Sequence, residues 1–257
     1  MRPVLFCSLL LLLTACAAKP ATGPDVVAAA VSYRSRGETV RGLLYRPAGE
    51  GPFPAVVVVH GDYGLTAGVK EQARRLGAKG YLVLAVDLYR GQVVSDLMDA
   101  HILDRGLPED RVLADLKAAV DYLVGRADVR ADSLGAVGWD SGGGHALDAA
   151  IRDPRLRAVV VCYGRLTTDP ELLAPLQASV LGIFAGKDEG ITPEIIDQFQ
   201  SAMRRAGKRV AGIHVYPECG HGFMNPATPH ASDSFAASAA ADAWEKIEAY
   251  LAAELQR

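Results

Sequence analysis

The chain has 257 residues, of which 50% are hydrophobic, 22% charged and 7% aromatic, with 26 Gly and 14 Pro. That balance excludes disordered, collagen-like and coiled-coil classes, and a formal charge of −3 gives no basic field for gripping nucleic acid. Four scattered Cys exclude a disulfide scaffold or a zinc ribbon.

The first element is not part of a globular fold. Arg2 precedes an apolar run, 4–13, broken only by Ser8, and about 10 apolar residues are too few for a permanent span, which needs about 20. The run ends in Leu13-Thr14-Ala15-Cys16, which resembles the lipobox of bacterial lipoproteins, where the chain is cut before the Cys and that thiol is lipidated. The resemblance implies a signal peptide over 1–15, a tether over 16–25 and a lipid anchor at Cys16, so that the mature domain, 26–257, is held on a membrane surface without spanning it. Ala17 after the Cys points to the periplasmic face of the outer membrane in the bacterial cell envelope. A plain secretory signal with an incidental Cys is the alternative. Cys162 and Cys219 then remain as thiols at the ends of different predicted strands, which favours free, buried side chains over a disulfide.

From Val26 onward, short β-branched runs alternate with amphipathic segments. Residues 27–35 and 39–45 read as an antiparallel pair turned at Arg36-Gly37-Glu38. The runs 55–59 (AVVVV), 81–86 (YLVLAV), 134–137 (LGAV), 158–161 (AVVV) and 180–185 (VLGIFA) are apolar almost throughout. Runs without alternation suit strands buried on both faces, as in a parallel sheet covered by helices. Helical patterns fall between them at 69–79, 110–124, 143–152 and 193–206, and a last one at 235–255 closes the chain. The alternation predicts a doubly wound α/β fold in a single domain, with no linker and no internal repeat. Residues 90–110, with Val93, Val94, Leu97, Met98 and Ile102, form either a short helix capping a pocket or a surface helix on the sheet edge.

Sheets of this kind place their chemistry in loops at the carboxyl ends of the strands. The strand at 134–137 runs into Gly138-Trp139-Asp140-Ser141-Gly142, then Gly143, Gly144 and a helix. Small residues two positions either side of a central side chain, at a strand-to-helix turn, form the nucleophile-elbow pattern. The helix that follows aims its free amides and positive dipole at the same spot. An acid and a base follow in the expected order. Asp188 comes after the strand at 180–185, and His221 comes after a strand at 213–216, within Cys219-Gly220-His221-Gly222-Phe223. His60 ends a strand and reads as structural. His101, His145, His214 and His230 lack partners at ligand spacing, so no metal is expected. Gly142–Gly144 lacks the Lys-Ser/Thr ending of a phosphate loop, so no nucleotide is expected either.

His60-Gly61-Asp62-Tyr63-Gly64-Leu65, Asp87-Leu88-Tyr89, the elbow, Gly186-Lys187-Asp188 and Gly220-His221-Gly222-Phe223 together resemble the dienelactone hydrolase family of the α/β-hydrolase superfamily. The resemblance implies a cofactor-free hydrolase of small lactones and esters. It makes Asp188 and His221 the acid and base of the triad and assigns the oxyanion hole to the backbone amides of Asp62 and Ser141. Tyr63, Tyr89, Arg90 and Asn225 are expected in the substrate pocket. Three positions depart from the family pattern. Asp140 replaces the nucleophilic Cys, Gly61 stands where a Glu meets that thiol, and Asn225 occupies the place of a carboxylate-binding Arg.

Asp140 changes the chemistry. A carboxylate attacking an ester carbonyl must expel an alkoxide and leave a mixed anhydride, which is steeply uphill. Carboxylates do attack other electrophiles, and an Asp-His-Asp set on this fold resembles haloalkane dehalogenases and epoxide hydrolases. Three readings follow. Asp140 acts as nucleophile at saturated carbon or as general base, or the chain is a non-catalytic relative binding a small molecule or an envelope partner, or Ser141 is the nucleophile. Two carboxylates beside His221 would raise its pKa, which favours the second reading.

Overall fold

A continuous apolar run such as Phe53–Val59 can only be buried by covering both of its faces, and the computed structural model shows this arrangement. Ala55, Val57 and Val59 point into one core and Val56 and Val58 into the other, on opposite faces of the same strand. The structure describes residues 26–225 and 234–257. The expected signal segment, Cys16, the tether and His230 lie outside the described residues.

The elements run β1 (Val26–Ser35), β2 (Glu38–Pro47), β3 (Phe53–Val59), α1 (Ala67–Ala78), β4 (Leu82–Asp87), α2 (Leu97–Arg105), α3 (Glu109–Val124), β5 (Val129–Trp139), α4 (Ser141–Arg152), β6 (Leu156–Cys162), α5 (Pro170–Leu173), β7 (Ser179–Ala185), α6 (Pro193–Arg205), β8 (Val210–Tyr216) and α7 (Ser234–Leu255). The eight strands form one sheet in the order β1-β2-β4-β3-β5-β6-β7-β8. It is parallel from β4 to β8, with antiparallel β1 and β2 at one edge. Helices α1 and α7 cover one face through Leu76, Trp244, Ile247 and Leu251. The other face packs against α3, α4 and α6 through Leu116, Leu147 and Phe199. This is the predicted single-domain α/β-hydrolase architecture.

Three features position the site. First, β3 continues through α1 to β4 on one side while β5 continues through α4 to β6 on the other, so a crevice opens at the carboxyl ends of β3 and β5. Second, β1 runs parallel to β4, because Val26 pairs with Pro47 at the end of β2 and Arg41 of β2 pairs with Asp87 at the end of β4. Val26 therefore enters at the end of the sheet opposite that crevice. Third, the chain after β4 folds back onto the loop after β3. Gly64 and Val93 form an isolated antiparallel bridge, and the Val94 amide donates to the Tyr63 carbonyl at 3.2 Å. Gly64 has φ 85°, and a Cβ there would lie 2.5 Å from the Gln92 carbonyl oxygen, so only glycine permits the closure. This clasp fixes where α2 starts.

Several boundaries differ from the sequence expectation. Strand β5 is far longer than 134–137, because its exposed first half (Arg130, Ala131, Asp132) projects beyond the buried part of the sheet. The hairpin turns on Arg36 and Gly37, both at positive φ. The single-turn helix α5, with Pro170 in its first turn and Asp169 capping it, carries too few residues for a periodic signal.

Candidate active site

Asp140 sits between the last residue of β5 and the first of α4 with φ 58° and ψ −132°, a conformation that side-chain-bearing residues rarely adopt. Two backbone bonds hold it there. Its amide donates to the Cys162 carbonyl at 3.0 Å, and its carbonyl accepts from the Gly143 amide at 2.9 Å. The flanking glycines are required by contact. A Cβ on Gly138 would lie 1.9 Å from the Gly142 carbonyl oxygen, and one on Gly142 would lie 2.3 Å from that of His60. The apex of the turn is Asp140. Ser141 is already inside the helix, which removes the geometric basis for reading it as the nucleophile.

His221 lies between two carboxylates. Its Nδ1 donates to Asp188 Oδ2 at 2.8 Å and its Nε2 to Asp140 Oδ1 at 2.9 Å. Asp188 is buried, and its other oxygen accepts from the amides of Gly190 and Ile191 at 2.8 and 3.0 Å. Burial by itself would lower the His221 pKa, but the hydrogen bonds and charges of Asp140 and Asp188 outweigh it and raise it to about 10. Burial likewise works against ionised Asp140 and Asp188, and the imidazole wins in both cases, holding them below the usual carboxylate range. The resting site is therefore carboxylate, imidazolium, carboxylate. The edge of the Tyr163 ring rests against His221 at 5.2 Å between centroids, and Phe223 backs Tyr163.

The second Asp140 oxygen, Oδ2, accepts from the Asp62 amide at 3.3 Å. One of the two amides expected to form an oxyanion hole thus already holds an Asp140 oxygen. Ser141 opens α4, where first-turn amides have no partner within the helix.

A cavity of about 270 Å³ opens over Asp140, bordered by Asp62, Tyr63, Trp139, Tyr163, His221 and Asn225, with Val69 and Gln72 of α1 and Leu97 and His101 of α2 completing the wall. Tyr63 and Asn225 are where the sequence reading put them. Tyr89 and Arg90 are not. Tyr89 is buried against His60 at 4.7 Å between ring centroids, and Tyr89 and Arg90 border a separate hollow with Gln92, Ile102 and Leu103. Arg90 turns back at φ 56° to pair with Asp115 at 2.7 Å and Glu38 at 3.1 Å. The cause is Asp115, a carboxylate buried on α3 that needs a cation. His60 accepts from the Leu88 amide at Nε2 and donates from Nδ1 to the Gly61 carbonyl, which fixes a neutral, structural ring. Cys162 and Cys219 are buried and unbridged.

His101 escaped the sequence reading, which weighed it only for metal spacing. The signal was present, since Leu97 and His101 are four residues apart and share a helix face. Helix α2 itself matches the pocket-capping expectation for 90–110.

A comparison with family models matches the dienelactone hydrolase family across residues 40–255. The chain is 35% identical to a protein of Methylorubrum extorquens named carboxymethylenebutenolidase, over 79% of this chain and 72% of the relative. It is 33% identical to an Escherichia coli K12 protein of the same name, over 87% of each chain. A crystal structure of a Klebsiella pneumoniae protein named as a dienelactone hydrolase superposes with TM-score 0.79 and 29% identity, covering 89% of this chain and 99% of that one. With the match running from β2 to the end of α7 and the same fold in a solved relative, the chain belongs to the dienelactone hydrolase family and is a hydrolase of the α/β-hydrolase fold.

Proposed function

We propose that the protein hydrolyses a small ester, lactone or related electrophile through an Asp140-His221-Asp188 site, with Asp140 attacking a saturated carbon. The observation that carries this reading is the division of labour between the two Asp140 oxygens, one on His221 Nε2 and the other on the Asp62 amide. In the first step an Asp140 oxygen forms a bond to carbon, and the leaving group departs with its electron pair. The product is an alkyl ester of Asp140. In the second, water attacks the carboxyl carbon of that ester, and the developing negative charge falls on the oxygen held by the Asp62 amide. The acyl C–O bond to the alcohol then breaks, the alcohol leaving with the proton His221 took from water while Asp140 reionises.

The raised pKa of His221 suits this order of events. In the resting site the imidazolium cannot act as a base near neutral pH. Esterification removes the Asp140 charge, leaving Asp188 as the one carboxylate partner. The imidazolium then gives its Nε2 proton to solvent, and the neutral ring can take a proton from the attacking water. General-base catalysis by Asp140 itself is weaker, because its carboxyl is held below the usual range. Names of relatives support small cyclic esters, among them a Bradyrhizobium protein, 32% identical, named as a 2-oxo-3-(5-oxofuran-2-ylidene)propanoate lactonase. Asn225 in place of an Arg argues against a substrate held by its carboxylate. For location we propose the cell envelope, with Cys16 as the lipid anchor.

The second reading, a non-catalytic binding protein, is favoured by the same imidazolium. Incubation with aryl esters, lactones, epoxides and haloalkanes separates the two. Turnover is expected in the native protein and abolished in Asp140→Asn, while His221→Gln accumulates a covalent adduct visible as added mass. A single turnover in heavy-oxygen water is expected to label the Asp140 carboxylate. Label found in the product alone overturns the nucleophile assignment, and a silent panel favours the binding protein.

A further inference from the structure

The reaction above uses the Asp140 side, the two amides and His221. It leaves unused the wall formed by the Asp62 side chain and His101. Asp62 is largely covered, with 13% of its side chain exposed, and its Oδ1 has no hydrogen-bond partner among the described residues. The Ser141 side chain lowers the pKa of its carboxyl and the neighbouring Asp140 raises it. His101 Nε2 stands 4.0 Å from Asp62 Oδ2, an ion-pair separation longer than a hydrogen bond. The His101 ring borders the cavity and is also 44% exposed, so it touches both the substrate space and water. Asp140, Asp62 and His101 of the capping helix all border the same cavity.

Resting on the nucleophile reading, we propose that His101 is the general acid that protonates an oxygen leaving from the attacked carbon, with Asp62 as the positioning residue that orients its ring. The substrate class this implies is one with a poorly stabilised leaving alkoxide, an epoxide or other strained cyclic ether, and not a halide. Asp140 forms the new C–O bond, the electron pair of the broken C–O bond goes to the leaving oxygen, and that oxygen takes the ring proton of His101. When water later cleaves the ester, the proton released as Asp140 reionises replaces the one His101 lost. A proton is available on this wall, since burial and then the Asp140 charge, opposed by the Ser141 hydrogen bond, push the Asp62 carboxyl up to about 7, with Asp104 adding to the effect.

The test compares styrene oxide, whose leaving oxygen needs a proton, with 1-bromobutane, whose bromide does not. The rate of adduct formation is read by mass in the His221→Gln background. Adding His101→Gln is expected to slow reaction with the epoxide by about 10²-fold or more, the usual scale of general-acid catalysis, and to leave reaction with the bromide within about threefold. Asp62→Asn is expected to fall between, with the same selectivity for the epoxide. Equal losses on both electrophiles, or none on the epoxide, overturn the proposal. Adducts from the bromide but none from the epoxide overturn it while leaving the nucleophile reading intact. No adduct from either substrate sinks that reading and this proposal together. An unchanged melting temperature of His101→Gln excludes misfolding as the cause.

Discussion

Asp140 carries a backbone strain that only its surroundings can enforce, and those surroundings are backbone atoms. At Gly142 a methyl group would meet the His60 carbonyl at 2.3 Å, and no side-chain rotation can relieve that contact. Gly142→Ala is therefore expected to destabilise the protein by roughly 1–3 kcal/mol or more. Thermal denaturation reads this as a fall of about 2–4 °C per kcal/mol for a chain of this size. The second residue-scale prediction concerns His221. Removing one of its two carboxylate partners by Asp140→Asn is expected to bring its pKa from about 10 toward the ordinary histidine range, as followed by NMR titration of the ring. A value that stays near 10 would mean Asp188 alone sets it. The triad was legible in the sequence because glycines mark sharp turns wherever they flank a reactive side chain. Tyr89 and Arg90 misled because a strand end names the loop but not the direction of its side chains, and here a buried Asp115 drew the Arg inward.

Among the helices, α2 is the least embedded. Ala100 is its one buried residue, and Leu97, Met98 and Ile102 are each more than half exposed. What holds its start is Asp96, whose carboxylate accepts from the amides of Met98 and Asp99 at 2.8 and 3.1 Å, together with the clasp between Gly64 and Val93. Loss of such a cap costs about 1 kcal/mol. Asp96→Ala is expected to speed hydrogen exchange of the α2 amides about fivefold while leaving the melting temperature unchanged, because the helix opens locally. Cooperative loss of the whole fold in that variant would show that α2 belongs to the core. The strands were legible where both faces are buried, as in β3 and β7, since nothing but apolar residues is tolerated there. The outer half of β5 was not, because Arg130 and Asp132 are solvated and carry no pattern.

For the molecule as a whole, the site sets the direction of pH dependence. A histidine whose pKa rises from 6.5 to about 10 on folding contributes stability that is complete below 6.5 and lost as pH rises through 10. Asp62, raised to about 7, acts in the same direction at lower pH, its contribution being lost between the unfolded carboxylate value and 7. Burial lowers His60 and His145, so their contribution is present above 6.5 and lost as pH falls. The melting temperature is expected to decline from pH 6.5 to 9, below the range where the buried Cys162 and Cys219 begin to matter. The decline should be shallower in His221→Gln, and equal slopes in the two proteins would exclude His221 as its source.

The entry of the chain at Val26, at the far end of the sheet from the crevice, has a consequence for traffic. With the lipid anchor proposed at Cys16, the ten residues before Val26 would span at most about 36 Å, so the rear of the domain would be moored toward the bilayer and the mouth over Asp140 would look outward. Molecules dissolved in the surrounding fluid would then meet the cavity directly, whereas those partitioned into lipid would first have to leave it.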